Sequence, residues 1–345
     1  MYSSILGLYL LLLLLTVTST AALVGPFSYL VAFGDSFTDI GRAYYIERNG
    51  HPPPPGTQFR PDFYPTFSGG YNWAQYLASV NDAKLVNYAV GGAMCNSSIV
   101  TTYFRGQLFP HGDNYQLPTF QQEASDTLIF PDRTPLNTVY AMWFGTTDLG
   151  IQGFLGAEEN GNKVISDVAD CIFSNMDIIW ASGGRRFVIL GQTSLDYAPI
   201  IAKPGQFGTS NIRHFYNPAG YNATDYIDRV RQYVTGLAAI INYGVPYFLH
   251  TKKRWPGSTV SIIDVRSFLL EIIRNPRYYL DAPAITDIPY RNCLVPGCVV
   301  NAGSPGGYMW YDEIHLSDRI HFLLAAQMNQ TISGVYNKFS EVHTV

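Results

Sequence analysis

The sequence predicts an α/β fold, a parallel sheet with helices on both faces. Two observations predict it. Short apolar runs alternate with segments of helical periodicity. Several of these runs also stop at glycine-containing turns, where strands of an open sheet give way to functional loops. The chain shows neither an internal repeat nor a linker rich enough to separate units, so a single domain over residues 23–345 is expected.

The elements follow in order. Residues 29–34 read as a buried strand and 71–79 as a helix with Trp73, Tyr76 and Leu77 on one face. Residues 84–89 form a short strand running into Gly91-Gly92, and 138–145 an apolar strand, Val-Tyr-Ala-Met-Trp-Phe at its centre. Helical periodicity covers 164–180, a strand covers 186–190, and an amphipathic helix covers 223–243. A strand over 260–265 and a closing helix over 317–335, striped by Leu316, Ile320, Leu323 and Leu324, complete the pattern.

Two aromatic loops interrupt it. One, 51–70, carries Pro52 to Pro55, then Phe59, Phe63, Tyr64 and Phe67; the other, 203–218, carries Phe207, His214, Phe215 and Tyr216. Long loops in a compact domain are more often functional than idle.

Composition narrows the function. Of 345 residues, 47% are hydrophobic and 14% charged, with a net charge of −4 and no basic run. Nucleic acid is excluded as a main partner, because phosphate neutralisation needs clustered Lys and Arg. The run from Ile5 to Leu15, followed by Ser19-Thr20-Ala21-Ala22, reads as a secretory signal peptide over residues 1–22, although its start carries no Lys or Arg. The run is short for a membrane span, so no stable anchor is expected and the mature chain should be extracellular. Oxidised cysteines fit that destination. Cys293 and Cys298 are close enough to staple a local loop, which leaves Cys95 with Cys171, though four cysteines allow three pairings. Asn96, Asn222 and Asn329 head glycosylation sequons, with Cys95 crowding the first.

The chemistry converges on one serine. Val31-Ala32-Phe33-Gly34-Asp35-Ser36 is an apolar strand ending in a turn that presents a hydroxyl. An alcohol nucleophile needs a base, and the base an orienting acceptor. Asp312-Glu313-Ile314-His315 offers both, because residues three apart on a turn share a face. His321 falls on the closing helix and is assigned a structural role. Acyl transfer also needs donors for a developing oxyanion. The Ser36 amide, Gly92 after its strand, and the strand end Gly145-Thr146-Thr147-Asp148 are the candidates. A parallel sheet would bring these strand ends to one edge. No metal or cofactor is implied: the sequence lacks His-x-x-x-His, and Asp35-Ser36-Phe37 lacks the glycine of an aspartic-protease motif.

These residues resemble the SGNH, or GDSL, esterases and lipases. Gly34-Asp35-Ser36-Phe37-Thr38-Asp39 is similar to the family's first block, with Phe37 where leucine is usual. Asn87-Tyr88-Ala89-Val90-Gly91-Gly92-Ala93 is similar to the second, Gly145-Thr146-Thr147-Asp148 to the third, and Asp312 to His315 to the fifth. The segment 67–77 resembles the stretch after the first block, and the wording is most similar to fungal acetylesterases of carbohydrate esterase family sixteen. The resemblance implies a three-layer α/β/α sandwich of flavodoxin-like type and metal-free hydrolysis of short acyl esters, often acetyl groups on hemicellulose sugars. By resemblance Ser36 is the nucleophile, His315 the base and Asp312 its orienter, with the Ser36 and Gly92 amides in the oxyanion hole. The substrate is then a small acyl ester or acetylated oligosaccharide, and a monomer is expected.

One position departs from the family. Thr147 stands where the third block carries an asparagine whose amide is an oxyanion donor. A serine esterase is the leading expectation. A catalytically weak carbohydrate-binding or surface protein, and a lipase for longer acyl chains, are the alternatives.

Overall fold

The computed structural model describes residues 24–60, 66–201, 223–293 and 297–345. The signal segment, Phe63, Tyr64, Asn222 and the aromatic loop 203–218 lie outside the described residues. The main elements are β1 (Tyr29–Gly34), α1 (Arg42–Asn49), α2 (Trp73–Val80), β2 (Lys84–Asn87), β3 (Thr138–Trp143), α3 (Ile165–Ala181), β4 (Arg186–Leu190), α4 (Ala223–Pro246), β5 (Thr259–Ile263), α5 (Val265–Arg274), α6 (Asp318–Ile332) and β6 (Ser340–Thr344).

The sheet runs in the order β6-β5-β4-β3-β1-β2. β1 pairs in parallel with both β2 (Ala32 opposite Asn87) and β3 (Gly34 opposite Trp143), and β3, β4 and β5 continue in parallel. Strands β1, β3, β4 and β5 are buried along their whole length. Such burial on both faces is why the sequence shows unbroken apolar runs there. From β1 the chain first steps outward to β2, then crosses to β3 and proceeds the other way. Right-handed crossovers in opposite directions put their helices on opposite faces. The result is a three-layer α/β/α sandwich whose topological switch point lies between β1 and β3, where open sheets bind ligands.

Several boundaries differ from the sequence expectation. The helix expected from residue 71 starts at Trp73, because Asn72 caps it: Asn72 Oδ1 accepts the Ala74 and Gln75 amides, and Gln75 returns a bond to the Asn72 amide. β2 ends at Asn87 rather than Ala89, since Asn87 Oδ1 captures the Ala89 amide and turns the chain. β3 stops at Trp143 rather than Gly145, and one helical turn, Thr146–Leu149, follows directly. β5 stops at Ile263, because Asp264 accepts the Ser267 amide and starts α5. α3, α4 and α6 begin and end within three residues of their expected limits.

The expected parallel sheet also needs one correction. β6 pairs antiparallel to β5, Ser340 opposite Ile263, and forms an edge. Its Ser-Glu-Val-His-Thr sequence has no apolar run, so nothing in its periodicity marks a strand. Both expected cysteine pairs are present: Cys95–Cys171 ties the segment after β2 to α3, and Cys293–Cys298 closes a loop before α6. Asn96 is half-buried on its loop, and Asn329 lies in α6 with its side chain accepting from Asn81. Among the described residues no helix is long and apolar enough to cross a membrane.

Candidate active site

The turn after β1 presents Ser36. Gly34 adopts φ +145°, and a Cβ there would stand 2.4 Å from the Trp143 carbonyl oxygen of the adjacent strand, so glycine is required. Buried Gln116 clamps the same residue, accepting from the Gly34 amide at 3.0 Å and donating to its carbonyl at 2.8 Å. Asp35 then organises the turn. Its carbonyl accepts the Thr38 and Asp39 amides, and its Oδ1 accepts the Phe37 amide at 3.1 Å. Ser36 is left half-exposed at the strand end.

Its hydroxyl meets His315. Ser36 Oγ lies 2.7 Å from His315 Nε2, and His315 Nδ1 lies 2.8 and 2.9 Å from the two Asp312 oxygens. The turn carrying them is self-bracing: Asp312 Oδ1 also accepts the Ile314 and His315 amides, and the Tyr311 amide donates to the His315 carbonyl at 2.7 Å. The 279 residues separating Ser36 from His315 are bridged by the sheet topology. Rings enclose the imidazole: Phe67 at 4.9 Å and Phe37 at 5.5 Å, centroid to centroid.

Electrostatics fit this pairing. Burial opposes a charged His315, but the charge and hydrogen bond of Asp312, with Asp35 and Glu313 further off, outweigh it and hold the pKa above the ordinary imidazole value. Burial likewise opposes an ionised Asp312, yet His315 and the two backbone amides draw its pKa below the carboxylate range. Beneath the serine, burial pushes Asp35 up to about 6 and Asp148 up to about 7.

Three groups were expected to face an oxyanion. Among the described residues neither the Ser36 nor the Gly92 amide has a protein acceptor. Gly92 adopts φ +86°, which a non-glycine residue would hold only with strain. Its loop is fixed on both sides: Asp39 Oδ2 accepts the Gly91 amide at 2.7 Å, and Asp148 Oδ1 accepts the Cys95 amide at 2.9 Å. Thr147 is half-buried, and its hydroxyl donates to Asp35 Oδ2 at 3.4 Å.

Sequence spacing alone does not single out His315, because Asp318 also precedes His321 by three residues. The structure separates the two pairs. Asp318 accepts the Tyr76 hydroxyl, while His321 accepts the Trp73 amide and, being buried, is pushed down to about 3. Gln116 is a site-building residue that no pattern in the sequence singles out, whereas Asp39, whose carboxylate holds the Gly91 amide, closes the first-block motif. Among the described residues no group of three or more His, Cys, Asp or Glu side chains could hold a metal ion.

The family model for GDSL-like lipases and acylhydrolases matches residues 30–328. The chain belongs to that family. It is a carboxylic ester hydrolase by membership. It is 36% identical over 313 residues to an acetylesterase of Hypocrea jecorina, covering 89% of each chain. An acetylesterase of Thermothelomyces thermophilus shares 26% identity over 179 residues, 50% of this chain and 56% of that one. Among solved structures, a catalytic mutant of an acetylxylan esterase from Geobacillus stearothermophilus aligns over 91% of this chain and 97% of its own, at 12% identity and a TM-score of 0.41.

Proposed function

We propose that this GDSL hydrolase cleaves acetyl and other short acyl esters through an acyl-enzyme on Ser36, and that its natural substrates are acetylated hemicellulose sugars. The observation that carries the reading is the unbroken hydrogen-bonded chain Ser36–His315–Asp312. The name of the Hypocrea jecorina relative supports the acetyl preference. The apolar run from Ile5 to Leu15 and the two disulfides support export, with residues 1–22 removed and 23–345 acting as one unit.

The chemistry follows from the geometry. His315 Nε2 takes the Ser36 proton as Oγ attacks the ester carbonyl carbon, and Asp312 stabilises the resulting imidazolium. The carbonyl oxygen becomes an oxyanion facing the Ser36 and Gly92 amides. When the tetrahedral species collapses, the bond to the alcohol oxygen breaks and His315 returns the proton to that oxygen. A water, deprotonated by His315, then attacks the acyl carbon, releasing the carboxylic acid and restoring the Ser36 hydroxyl.

The test is p-nitrophenyl acetate turnover by the native protein and by Ser36→Ala, with fluorophosphonate labelling mapped by mass spectrometry. The expected result is a label on Ser36 and loss of turnover in the variant. Equal rates in the two proteins would overturn the reading.

A further inference from the structure

Two phenylalanine rings border the site at consecutive glycines of the second-block loop, one of them also on His315, and the mechanism uses neither. Phe67 stacks on His315 with ring centroids 4.9 Å apart and an interplanar angle of 34°. Its far edge rests on the second-block loop, where a Cβ on Gly91 would stand 2.6 Å from Phe67 Cε2 and Cζ. Phe109 lies at the next glycine, where a Cβ on Gly92 would stand 3.5 Å from its Cζ. Both rings are half-buried and so reach solvent at the rim.

Neither ring is loosely held. The residue after Phe67, Ser68, is buried, and its carbonyl accepts the Asp318 amide at 3.0 Å from the start of α6. Phe109 donates its amide to the Thr102 carbonyl at 2.9 Å, and its own carbonyl accepts Asn114 Nδ2 at 2.9 Å. The Phe109 ring packs on the small cluster of Ile46, Val90 and Ala93. Rings fixed in this way act as walls of set position rather than as adaptable surface.

The reaction assigns a different half of the ester to each wall. The leaving alcohol oxygen must receive its proton from His315 Nε2, so the alcohol half lies against the imidazole and beside the ring stacked on it. The acyl chain leaves the carbonyl carbon away from the alcohol oxygen that His315 protonates, so of the two rings Phe109, which packs at Gly92 rather than on His315, is the one placed for the acyl half. Resting on the acyl-enzyme reading above, we infer that Phe67 is the specificity residue for the alcohol half and Phe109 for the acyl half. Phe67 offers an apolar face of the kind that a sugar ring can cover, and Phe109 limits acyl length.

The experiment crosses two substrate series with Phe67→Ala and Phe109→Ala. Acyl length is varied with p-nitrophenyl acetate, butyrate and octanoate. The alcohol is varied with ethyl acetate and an acetylated methyl xyloside. Phe109→Ala should raise the octanoate-to-acetate ratio of kcat/KM by about tenfold and leave the xyloside-to-ethyl ratio within about twofold of native. Phe67→Ala should lower the xyloside-to-ethyl ratio by about tenfold and leave the octanoate-to-acetate ratio within about twofold. Phe67→Leu and Phe109→Leu, which keep apolar bulk, should fall between native and Ala and cover the case of a misfolded Ala variant. Uniform scaling of all substrates in every variant, or the reverse assignment, overturns the inference. Retained turnover in Ser36→Ala would instead overturn the acyl-enzyme reading, so the two failures are distinguishable.

Discussion

The Thr147 hydroxyl donates to Asp35 Oδ2 across 3.4 Å, so the strand end that should offer a third oxyanion donor is turned toward the carboxylate beneath Ser36. In the GDSL pattern this position carries an amide side chain, and losing one oxyanion donor costs about 10²–10³ in turnover. Thr147→Asn is therefore expected to raise kcat on p-nitrophenyl acetate by about tenfold or more, with KM changing little. An unchanged kcat would mean that the hydroxyl already serves as donor.

With His315 as the proposed base, the His315–Asp312 pair sets the pH profile. The base must be neutral to accept the Ser36 proton, and its pKa is held above 6.5, so the acid limb of kcat/KM should lie above 6.5. Asp312→Asn removes the charge that raises it. Turnover should fall by roughly 10⁴ and the limb of the residual activity should move to lower pH. Stopped assays across the neutral range measure both shifts.

Asp148 gives stability its own pH dependence. Burial raises its pKa from 3.8 to about 7, and among the described residues its Oδ2 has no hydrogen-bond partner. A carboxyl with a raised folded pKa contributes stability that is present below the unfolded value and lost as pH rises through the folded one. Native Tm should fall between pH 4 and 7 through this group. Asp148→Asn keeps an acceptor for the Cys95 amide but cannot ionise, so its Tm should exceed the native value more at pH 8 than at pH 5, as scanning calorimetry would show.

Gly34→Ala tests the turn that presents Ser36. Its φ of +145° costs a non-glycine residue about 1–3 kcal/mol. The added Cβ, 2.4 Å from the Trp143 carbonyl oxygen, forces β1 and β3 apart as well. Urea unfolding should show a loss of at least that size, and fluorophosphonate labelling at Ser36 should slow. Native-like values for both would show that the strands yield cheaply.

The parallel strands could be read from the sequence because burial on both faces leaves uninterrupted apolar runs such as Tyr29–Phe33. Ser36 and the Asp312–His315 turn are legible through the resemblance of their short motifs to known blocks, not through spacing. What stayed hidden depends on distant partners or on exposure. β6 is a polar edge strand with no apolar run of its own. α1 is a short polar helix, started when Asp39 accepts the Gly41, Arg42 and Ala43 amides. Gln116 grips Gly34 from 82 residues away, a contact that no local pattern encodes. Asp318 and His321 share the spacing of Asp312 and His315, and only packing tells them apart.

Cys95 follows Gly92 by three residues and is held twice, by its covalent bond to Cys171 in α3 and by its amide on Asp148. The peptide that carries the Gly92 amide is thus anchored to α3 as well as to the helical turn that follows β3. On the proposed mechanism, an ester would then meet that amide already fixed in place, with no binding energy drawn off to gather it. Reduction of that bridge would release the anchor and leave the Ser36–His315 contact, some distance along the sheet edge, covalently unaltered.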